Sequence, residues 1–340
     1  MKMNKAIENK TVYVIAEIGG NFTRFEEAKI MIDAAAECGC DAVKLQTYRA
    51  ETLASREAFF AFETTGNIPQ FEMFRQYEID ERLHKKIFEY AQEKNLDIFS
   101  TPSHRTDVEM LERLGCFAYK IGSDDAVNIP FLREVARLGK PVILATGMCT
   151  LDEVAMSVNA MLEEGCRDIS ILHAISLYPT HSEDVNLNAM LSLKRRFPDF
   201  SVGYSDHTLG ITACICAAAM GAEIIEKHFT YDKNADGPDH IHSADPKEMK
   251  QLVTMIREFE VMRGTGIKMP APKELVSRIN NRKSIVLSRD VKCGDRLTRD
   301  CFDMKRPGAG ILPKDVEFAV GKTFARDMQK ENVVSWEDLK

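Results

Sequence analysis

Two histidines occupy matching positions in two short segments, Ser205-Asp206-His207-Thr208 and Glu226-Lys227-His228-Phe229. Each segment follows a brief apolar run typical of a strand, and one helix-length stretch, Leu209 to Met220, separates them. Strands joined by a single helix are normally parallel neighbours, so we expect both imidazoles at the same carboxyl-terminal edge of a sheet. The pair predicts a catalytic, octahedral divalent cation, Mn²⁺ or Mg²⁺ rather than structural zinc. The alternative is two hydrogen-bonded histidines without a metal.

Two lysines fall inside otherwise apolar strand ends. Lys44 lies in Ala42–Gln46 and Lys120 in Phe117–Ile121. A buried ammonium group is costly unless an anion pairs with it. The lysines therefore predict a phosphate or carboxylate ligand in the site, and the alternative is a pair of structural Lys–Glu ion pairs.

Further polar residues fall at the ends of the predicted strands. They are Glu17, Gln46, Thr101, Ser123, Asp125, Thr146, His173, Ser176, Tyr178, Ser205, Asp206 and Glu226. So many titratable groups at one edge favour a ligand site over isolated ion pairs. We expect a packing role for His173, and solvated side chains rather than ligands for His240 and His242, because these two lie in a polar loop.

A unit of strand, turn and amphipathic helix recurs eight times. The predicted strands are Val12–Ala16, Ala42–Gln46, Asp97–Ser100, Phe117–Ile121, Pro141–Ala145, Ile169–Leu172, Val202–Tyr204 and Glu223–Glu226. Eight such units in roughly 250 residues predict an α/β fold of the (β/α)₈ TIM-barrel type. An open doubly wound sheet is the competing architecture, but it seldom needs eight units.

The domain organisation follows from changes of composition. Residues 1–263 form the predicted barrel, 264–281 a linker rich in glycine and proline, and 282–340 a small β-rich domain. Within the barrel, the long excursion Thr47–Asp80 is predicted to have no helix until late, and its length is typical of a lid or subunit contact.

Composition excludes several classes of protein. The 340 residues carry a formal charge of −7, which disfavours nucleic acid and anionic membranes as partners. No apolar run reaches membrane-spanning length. We expect no secretory leader, because the sequence predicts that the chain leads straight into the first strand. Nine cysteines, an odd number, favour reduced thiols and a cytoplasmic location. The segment Glu17-Ile18-Gly19-Gly20-Asn21 lacks dinucleotide-binding spacing, and no nucleophile elbow or Walker sequence is present.

Ordered motifs along the chain carry a family resemblance. They are Ala16-Glu17-Ile18-Gly19, Ala42-Val43-Lys44-Leu45-Gln46, Ser100-Thr101-Pro102, Tyr119-Lys120-Ile121-Gly122-Ser123, Ala145-Thr146-Gly147-Met148, Leu172-His173, Tyr178-Pro179-Thr180, Gly203-Tyr204-Ser205-Asp206-His207-Thr208-Leu209, Glu226-Lys227-His228-Phe229-Thr230, Gly237-Pro238-Asp239, Ser284-Ile285-Val286 and Lys305-Arg306-Pro307-Gly308. With these motifs the chain resembles the bacterial sialic acid synthases, the phosphoenolpyruvate-dependent nonulosonate synthases that make N-acetylneuraminate, legionaminate or pseudaminate. Its C-terminal part resembles their antifreeze-like (SAF) domain.

The resemblance implies an enzyme that condenses phosphoenolpyruvate with the open-chain aldehyde of an N-acyl amino sugar. It implies Mn²⁺, or another divalent cation such as Mg²⁺, on His207 and His228, with a catalytic set of Glu17, Asp125 and Glu226. The implied substrate contacts are Lys44, Gln46, Thr101, Lys120, Ser123, Ser176, Tyr178, Ser205, Asp239 and Arg306. The last of these would come from the partner subunit of a domain-swapped homodimer.

Four positions depart from the family pattern. Phe22 replaces a histidine, Asp125 replaces a glutamate, Ala145 replaces a serine and Ser176 replaces an amide. They bear on phosphate affinity and on the acceptor, for which N-acetylmannosamine and a 2,4-diacetamido-trideoxyhexose are the candidates. Two alternative functions are a 3-deoxy-sugar-acid synthase acting on a phosphosugar, and a non-catalytic sugar-binding relative.

Overall fold

A computed structural model describes residues 2–9, 11–62 and 66–340 of the chain. The chain divides into two compact units, Met1–Arg263 and Gly264–Lys340. The first unit contains the strands and histidines from which the sequence predicts chemistry.

The first unit is built on a closed barrel of eight parallel strands, in the order β1-β10-β9-β8-β7-β6-β5-β2. In chain order the strands of the protein are β1 (Tyr13–Glu17), β2 (Ala42–Thr47), β3 (Phe59–Phe62), β4 (Gly66–Pro69), β5 (Asp97–Pro102), β6 (Tyr119–Ile121), β7 (Val142–Ala145), β8 (Ile169–Ala174), β9 (Ser201–Asp206), β10 (Ile224–His228), β11 (Ser284–Leu287) and β12 (Phe302–Lys305). All eight predicted barrel strands are present, and the predicted (β/α)₈ fold is confirmed.

Helices cover the outside of the barrel. In chain order the helices are α1 (Lys2–Asn9), α2 (Phe25–Cys38), α3 (Ala50–Leu53), α4 (Gln70–Tyr77), α5 (Glu81–Glu93), α6 (Arg105–Arg113), α7 (Ile129–Ala136), α8 (Leu151–Glu163), α9 (Asn188–Arg196), α10 (Thr212–Ala219), α11 (Pro246–Met262), α12 (Glu274–Asn281) and α13 (Val316–Ala319). Short 3₁₀ helices lie at Ser182–Asp184, His240–His242, Pro313–Asp315 and Trp336–Asp338. Side-chain caps fix several starts: Asp80 accepts from the backbone N–H of Leu83, and Thr150 forms a reciprocal capping box with Glu153.

The barrel strands are buried on both faces, as parallel strands under helices must be. Every residue of β1, β8 and β10 is buried, including the charged residues Glu17, Glu226 and Lys227. The register pairs Glu17 with His228 on one side and with Lys44 on the other. Charged groups that belong to separate strands are therefore held side by side at the carboxyl-terminal end of the barrel.

Two local expectations are wrong. The chain does not lead straight into β1, because helix α1 precedes it. The excursion after β2 contains a helix early, at α3, and then an antiparallel hairpin of β3 and β4, where the sequence had predicted no helix until late. Residues 63–65 lie outside the described residues.

The second unit has its own apolar core. Its buried members are Ile285, Leu287, Val291, Leu297, Cys301, Ile311, Ala319, Phe324, Met328 and Val334. Strands β11 and β12 pair antiparallel at the positions where the sequence predicts β structure. The stretch predicted as a linker, 264–281, contains α12 at its end. Within the described part of the chain, none of the helices combines the length and the apolar character needed to cross a membrane.

Candidate functional site

A buried ion pair joins β1 to β2 inside the barrel. Lys44 Nζ lies 2.5 Å from Glu17 Oε2, and both side chains are almost fully buried. The same ammonium group donates to Thr101 Oγ1 at 2.9 Å, while Gln46 Nε2 donates to Glu17 Oε1 at 3.3 Å. Four residues predicted from sequence as site residues, on three adjacent strands, are therefore brought into one network.

A second carboxylate links this network to the opposite strands. Glu226 Oε1 lies 3.2 Å from Lys120 Nζ and 3.7 Å from Lys44 Nζ, and it accepts from Ser205 Oγ at 3.2 Å. The other oxygen, Glu226 Oε2, is buried and has no hydrogen-bond partner among the described residues. A buried acceptor without a partner is costly, and here it marks a point where a ligand or water can bind.

The two carboxylates differ in their affinity for protons. Burial raises the pKa of Glu17 above its ordinary value, and the negative charge of Glu226 adds to this rise while Lys44 opposes it. Burial would also raise the pKa of Glu226, but Lys120 and Lys44 outweigh it and hold that pKa at about 2. Glu226 is therefore a fixed negative charge, whereas Glu17 is the group better able to hold and release a proton.

The pKa values of the two lysines are shifted in opposite directions. Burial would lower the pKa of Lys44, yet the carboxylates of Glu17 and Glu226 raise it above the ordinary value. Burial lowers the pKa of Lys120, and the neighbouring Lys44 charge adds to this fall although Glu226 opposes it. An anionic ligand close to Lys120 would favour its charged form, as Coulomb attraction requires.

Gly19 permits the close packing around Glu17. A Cβ atom at this position would lie 2.5 Å from Glu17 Oε1 and 2.6 Å from the backbone nitrogen of Gln46. Because that space is open, the Gly19 N–H donates to Glu17 Oε1 at 2.8 Å. Packing around Glu17 therefore explains why the segment after β1 needs a glycine.

A small polar cradle lies after β6, β7 and β8. Ser123 Oγ accepts from the backbone N–H of Gly147 at 3.0 Å. A Cβ atom on Gly147 would lie 2.3 Å from Ser176 Oγ and 2.8 Å from Ser123 Oγ. Two serine hydroxyls and a glycine backbone thus converge on a space that any larger residue would fill, an arrangement suited to anionic oxygen atoms.

The two histidines of the opening pattern are neighbours. The rings of His207 and His228 lie 5.4 Å apart, and the Tyr178 ring packs against His207 at 4.2 Å and against His228 at 6.0 Å. His207 Nδ1 lies 2.6 Å from the Ile175 carbonyl, so Nδ1 carries the proton and donates. The lone pair of His207 Nε2 is then free to bind a cation.

A third histidine joins His228 from the loop after β10. His228 Nδ1 lies 3.5 Å from Asp239 Oδ2, and His242 Nε2 lies 3.4 Å from Asp239 Oδ1. The donor atoms of these three residues all lie within 4.8 Å of one another. The expectation that His240 and His242 are solvated is wrong, since their exposed fractions are 2% and 3%.

The residues present fit a divalent cation. His228 Nδ1 and His242 Nε2 are buried nitrogens without a hydrogen-bond partner among the described residues. Burial lowers the pKa of His207 to about 4 and that of His228 well below the ordinary value, so both rings are neutral near pH 7, as metal ligands must be. Neutral imidazole and carboxylate donors in this number suit a catalytic metal ion.

A buried ion pair positions the two strands that carry these histidines. Lys227 Nζ lies 2.8 Å from Asp206 Oδ2, and both side chains have no exposed surface. Asp206 also accepts from Tyr204 OH and from the backbone N–H of Thr208, each at 2.9 Å. The pair locks the ends of β9 and β10 in register, next to His207 and His228.

Two predicted site residues are not brought into these networks. Asp125 lies after β6, where its carboxylate accepts from Asn128 Nδ2 at 2.8 Å, and burial raises its pKa to about 6. No hydrogen bond or ion pair among the described residues joins it to Glu17 or Glu226. Arg306 follows β12 in the second unit, where it is exposed. The roles of both residues stay predictions.

Sequence reasoning missed His242 and the part played by Gly147. The His240-Ile241-His242 spacing indicates that a ligand histidine could lie in this loop, but it does not show which of the two imidazoles would be the ligand. In the structure His240 Nδ1 is paired with Thr230 Oγ1 at 2.5 Å, whereas His242 faces His228 with 5.2 Å between the rings. The close approach of Ser123 and Ser176 to Gly147 depends on the barrel closing.

The chain matches known families along most of its length. Residues 31–268 match the NeuB family and residues 282–340 match the SAF domain. The chain is 38% identical to the N,N'-diacetyllegionaminic acid synthase of Legionella pneumophila, over 97% of this chain and 95% of that relative. It is 34% identical to a pseudaminic acid synthase of Campylobacter jejuni, over 97% of each chain.

A comparison with solved structures also finds a sialic acid synthetase. The crystal structure of an N-acetylneuraminic acid (sialic acid) synthetase from Leptospira borgpetersenii, in complex with citrate, superposes with a TM-score of 0.72 at 33% sequence identity. The superposition covers 79% of this chain and 90% of that one.

Proposed function

This chain belongs to the NeuB family and is an enzyme, and we propose that it is a nonulosonic acid synthase that condenses phosphoenolpyruvate with an N-acetylated hexosamine. The family resemblance carried by the sequence motifs is confirmed, including the SAF domain. One observation carries the proposal: two buried lysines, Lys44 and Lys120, converge on Glu226 beside a polar cradle and a group of neutral imidazoles.

The lysines and the cradle would hold phosphoenolpyruvate. Lys44 and Lys120 pair with the carboxylates of Glu17 and Glu226, and an anion that binds between the two lysines would replace some of these ion pairs with its own. Ser205, which donates to Glu226, lies within reach of the same anion. The hydroxyl groups of Ser123 and Ser176 around Gly147 would donate hydrogen bonds to its phosphate oxygens.

In the proposed reaction, C3 of phosphoenolpyruvate forms a bond to the aldehyde carbon of the sugar. A water oxygen adds to C2, and phosphate leaves with the bridging oxygen as the C2–O bond breaks. Glu17 would take a proton from that water, because its raised pKa makes it a stronger base than an ordinary carboxylate. Glu226 stabilises the two ammonium groups and keeps its charge throughout.

His207 and His228 would hold Mn²⁺ or another divalent cation. When bound, the ion would supply Lewis acidity to the aldehyde oxygen of the acceptor. Tyr178, packed on the His207 ring, restricts the space in which that acceptor can lie. The alanine at position 145 and the serine at 176 leave the phosphate cradle with fewer donors than the family pattern, so we expect weaker phosphate binding than in relatives.

The acceptor is an N-acyl amino sugar. Two relatives at 37% and 38% identity are named for a product with two acetyl groups, which favours a 2,4-diacetamido-trideoxyhexose over N-acetylmannosamine. The test is phosphate release from phosphoenolpyruvate with Mn²⁺ and a panel of both sugars and their phosphates. Release with a diacetamido sugar supports the proposal, release only with phosphosugars supports a 3-deoxy-sugar-acid-type synthase, and none with any sugar contradicts it.

The proposal includes a homodimer in which Arg306 serves the partner's site. Arg306 is exposed in a unit that has its own apolar core, so its side chain is available for a contact with another subunit. Mixing inactive Glu17→Gln subunits with inactive Arg306→Met subunits should restore activity, since one site of each mixed dimer is then complete. If mixed subunits exchange and stay inactive, the arginine does not act across the dimer.

A further inference from the structure

His242 has the features of a ligand rather than of a loop residue. Its side chain is 3% exposed, and its Nε2 atom has no hydrogen-bond partner in the part of the chain that the structure describes. A buried polar nitrogen is costly unless something pairs with it. Asp239 Oδ1 lies 3.4 Å from this nitrogen, which is longer than a good N–H···O hydrogen bond.

The loop is built to hold this imidazole in place. His240, two residues earlier on the same short 3₁₀ helix, is anchored by Thr230 and takes no part in the cluster. Asn21 Nδ2 donates to Ser243 Oγ at 3.1 Å, and Ser243 Oγ donates to the Asp239 carbonyl at 2.6 Å. Both ends of the Asp239–His242 segment are therefore fixed by contacts that involve no metal.

Gly20 also determines where the Asp239 carboxylate can lie. Gly20 adopts a φ of +75°, and a Cβ atom there would lie 2.9 Å from Asp239 Oδ2. The carboxylate therefore fits only because position 20 is a glycine. With His228 Nδ1 on one side and His242 Nε2 on the other, Asp239 is placed to share a cation with both.

We propose that His242 is a metal ligand in this chain, acting together with His228 and Asp239, and that it makes the site selective for Co²⁺, Zn²⁺ or Fe²⁺ over Mg²⁺ and Mn²⁺. Imidazole nitrogen favours the later transition metals, whereas Mg²⁺ and Mn²⁺ favour oxygen donors and water. His207, with its free Nε2 lone pair and a ring 5.4 Å from His228, adds a further nitrogen beside the three. The inference rests on the metal site of the proposed function and assigns Asp239 to the metal rather than to the sugar.

The direct test is a crystal structure of the unaltered protein soaked with Co²⁺, located by anomalous scattering. We expect one strong peak at bonding distance, about 2.0–2.2 Å, from His228, Asp239 and His242. A peak bound by His207 and His228 with His242 beyond bonding distance would overturn the proposal, and so would no peak at this cluster. This test uses the unaltered protein, so its outcome does not depend on whether a variant folds.

A second test measures selectivity. Apo protein is titrated with Co²⁺ and with Mn²⁺, by calorimetry, for the unaltered chain, His242→Ala and His242→Gln. Loss of a nitrogen donor should weaken Co²⁺ binding by about tenfold or more and Mn²⁺ binding by less. The preference for Co²⁺ over Mn²⁺, measured as the ratio of the two dissociation constants, should therefore be smaller in the His242 variants than in the unaltered chain. His181→Ala, the same change at an exposed histidine, should leave both constants unchanged. Equal constants for the unaltered chain and both His242 variants would overturn the proposal.

These measurements use no substrate, so their outcome is independent of the proposed reaction. If Co²⁺ binds through His242 but no sugar supports phosphate release, the metal assignment stands and the proposed function fails. If product forms while both His242 variants bind metal as the unaltered chain does, the function stands and the His242 assignment fails.

Discussion

Lys120 Nζ lies 3.2 Å from Glu226 Oε1, although the two residues are 106 positions apart and belong to strands on opposite parts of the barrel. The contact is buried and charged, and one oxygen of the same carboxylate is left without a partner in the described chain. Buried ion pairs contribute little to stability when their desolvation is counted. The arrangement is better explained as part of a site for an anion than as a contribution to stability.

Replacing Lys120 with Met should weaken phosphoenolpyruvate binding. A charge-assisted contact to a buried anion contributes about 1.5–3 kcal/mol, so the KM for phosphoenolpyruvate should rise by at least about tenfold. The measurement is steady-state phosphate release, with Lys29→Met as the exposed control. A KM within twofold of the unaltered enzyme would contradict the account.

Lys120→Met also removes an ion-pair partner of Glu226 and can therefore lower stability. A double variant separates this loss of stability from the loss of phosphoenolpyruvate binding. Lys120→Met with Glu226→Gln removes the unpaired charge, and we expect its melting temperature to recover relative to the single variant. Phosphoenolpyruvate binding should not recover with it. Recovery of binding together with stability would mean that Lys120 acts on folding alone.

Glu17→Gln should lower kcat with little change in the KM for phosphoenolpyruvate. Glutamine keeps an oxygen that can accept from the Gly19 N–H, but it cannot take a proton from water. General base catalysis typically contributes about 10²–10⁴ in rate, and a loss in that range is expected. Unchanged kcat in rapid-quench single-turnover measurements would rule out this role.

Gly147→Ala should fill the cradle. The new methyl group would meet Ser176 Oγ and Ser123 Oγ closer than side chains approach one another, while the backbone at this position suits other residues. We expect weaker inhibition by inorganic phosphate, by about tenfold, with the KM of the sugar unchanged. Ser176→Ala, which removes a hydroxyl without adding bulk, is the matched comparison. Equal phosphate inhibition in all three proteins would place the phosphate elsewhere.

Acid should destabilise the barrel through His84. This imidazole is fully buried, its Nδ1 donates to the Asp80 carbonyl and its Nε2 accepts from Thr47 Oγ1, and burial lowers its pKa to about 4. In the unfolded chain the His84 imidazole takes up a proton as the pH falls through about 6.5, whereas in the folded chain it does so only near pH 4. Stability from the neutral ring is therefore present above about pH 6.5 and lost as the pH falls, by about 2 kcal/mol at pH 5.

The measurement compares urea unfolding at pH 7.5 and pH 5.0 for the unaltered chain and His84→Gln. Circular dichroism is the appropriate signal, because the single tryptophan, Trp336, reports only the second unit. We expect the unaltered chain to lose about 2 kcal/mol more than the variant between the two pH values. Equal losses would show that His84 is not the group responsible.

Much of the site could be predicted because barrel strands are local in sequence and regular in register. Lys44, Lys120, Glu226 and His228 sit in apolar runs, and once those runs pair in parallel their side chains meet. What could not be predicted depends on loop packing. His242 is buried because Asn21, Thr230 and Ser243 fix its loop, and the Asn21–Ser243 contact joins positions 222 residues apart. Asp125 is the converse case, since it follows a strand but turns towards Asn128.

The most direct test of the central claim follows the bridging oxygen of phosphoenolpyruvate. Substrate labelled with ¹⁸O at that position is incubated with the enzyme, a divalent cation and a 2,4-diacetamido-trideoxyhexose, and both products are analysed by mass spectrometry. The account predicts that the label leaves with phosphate and that a nine-carbon 2-keto acid forms in equal amount. Label retained in the organic product, or phosphate released without a new carbon–carbon bond, would contradict it.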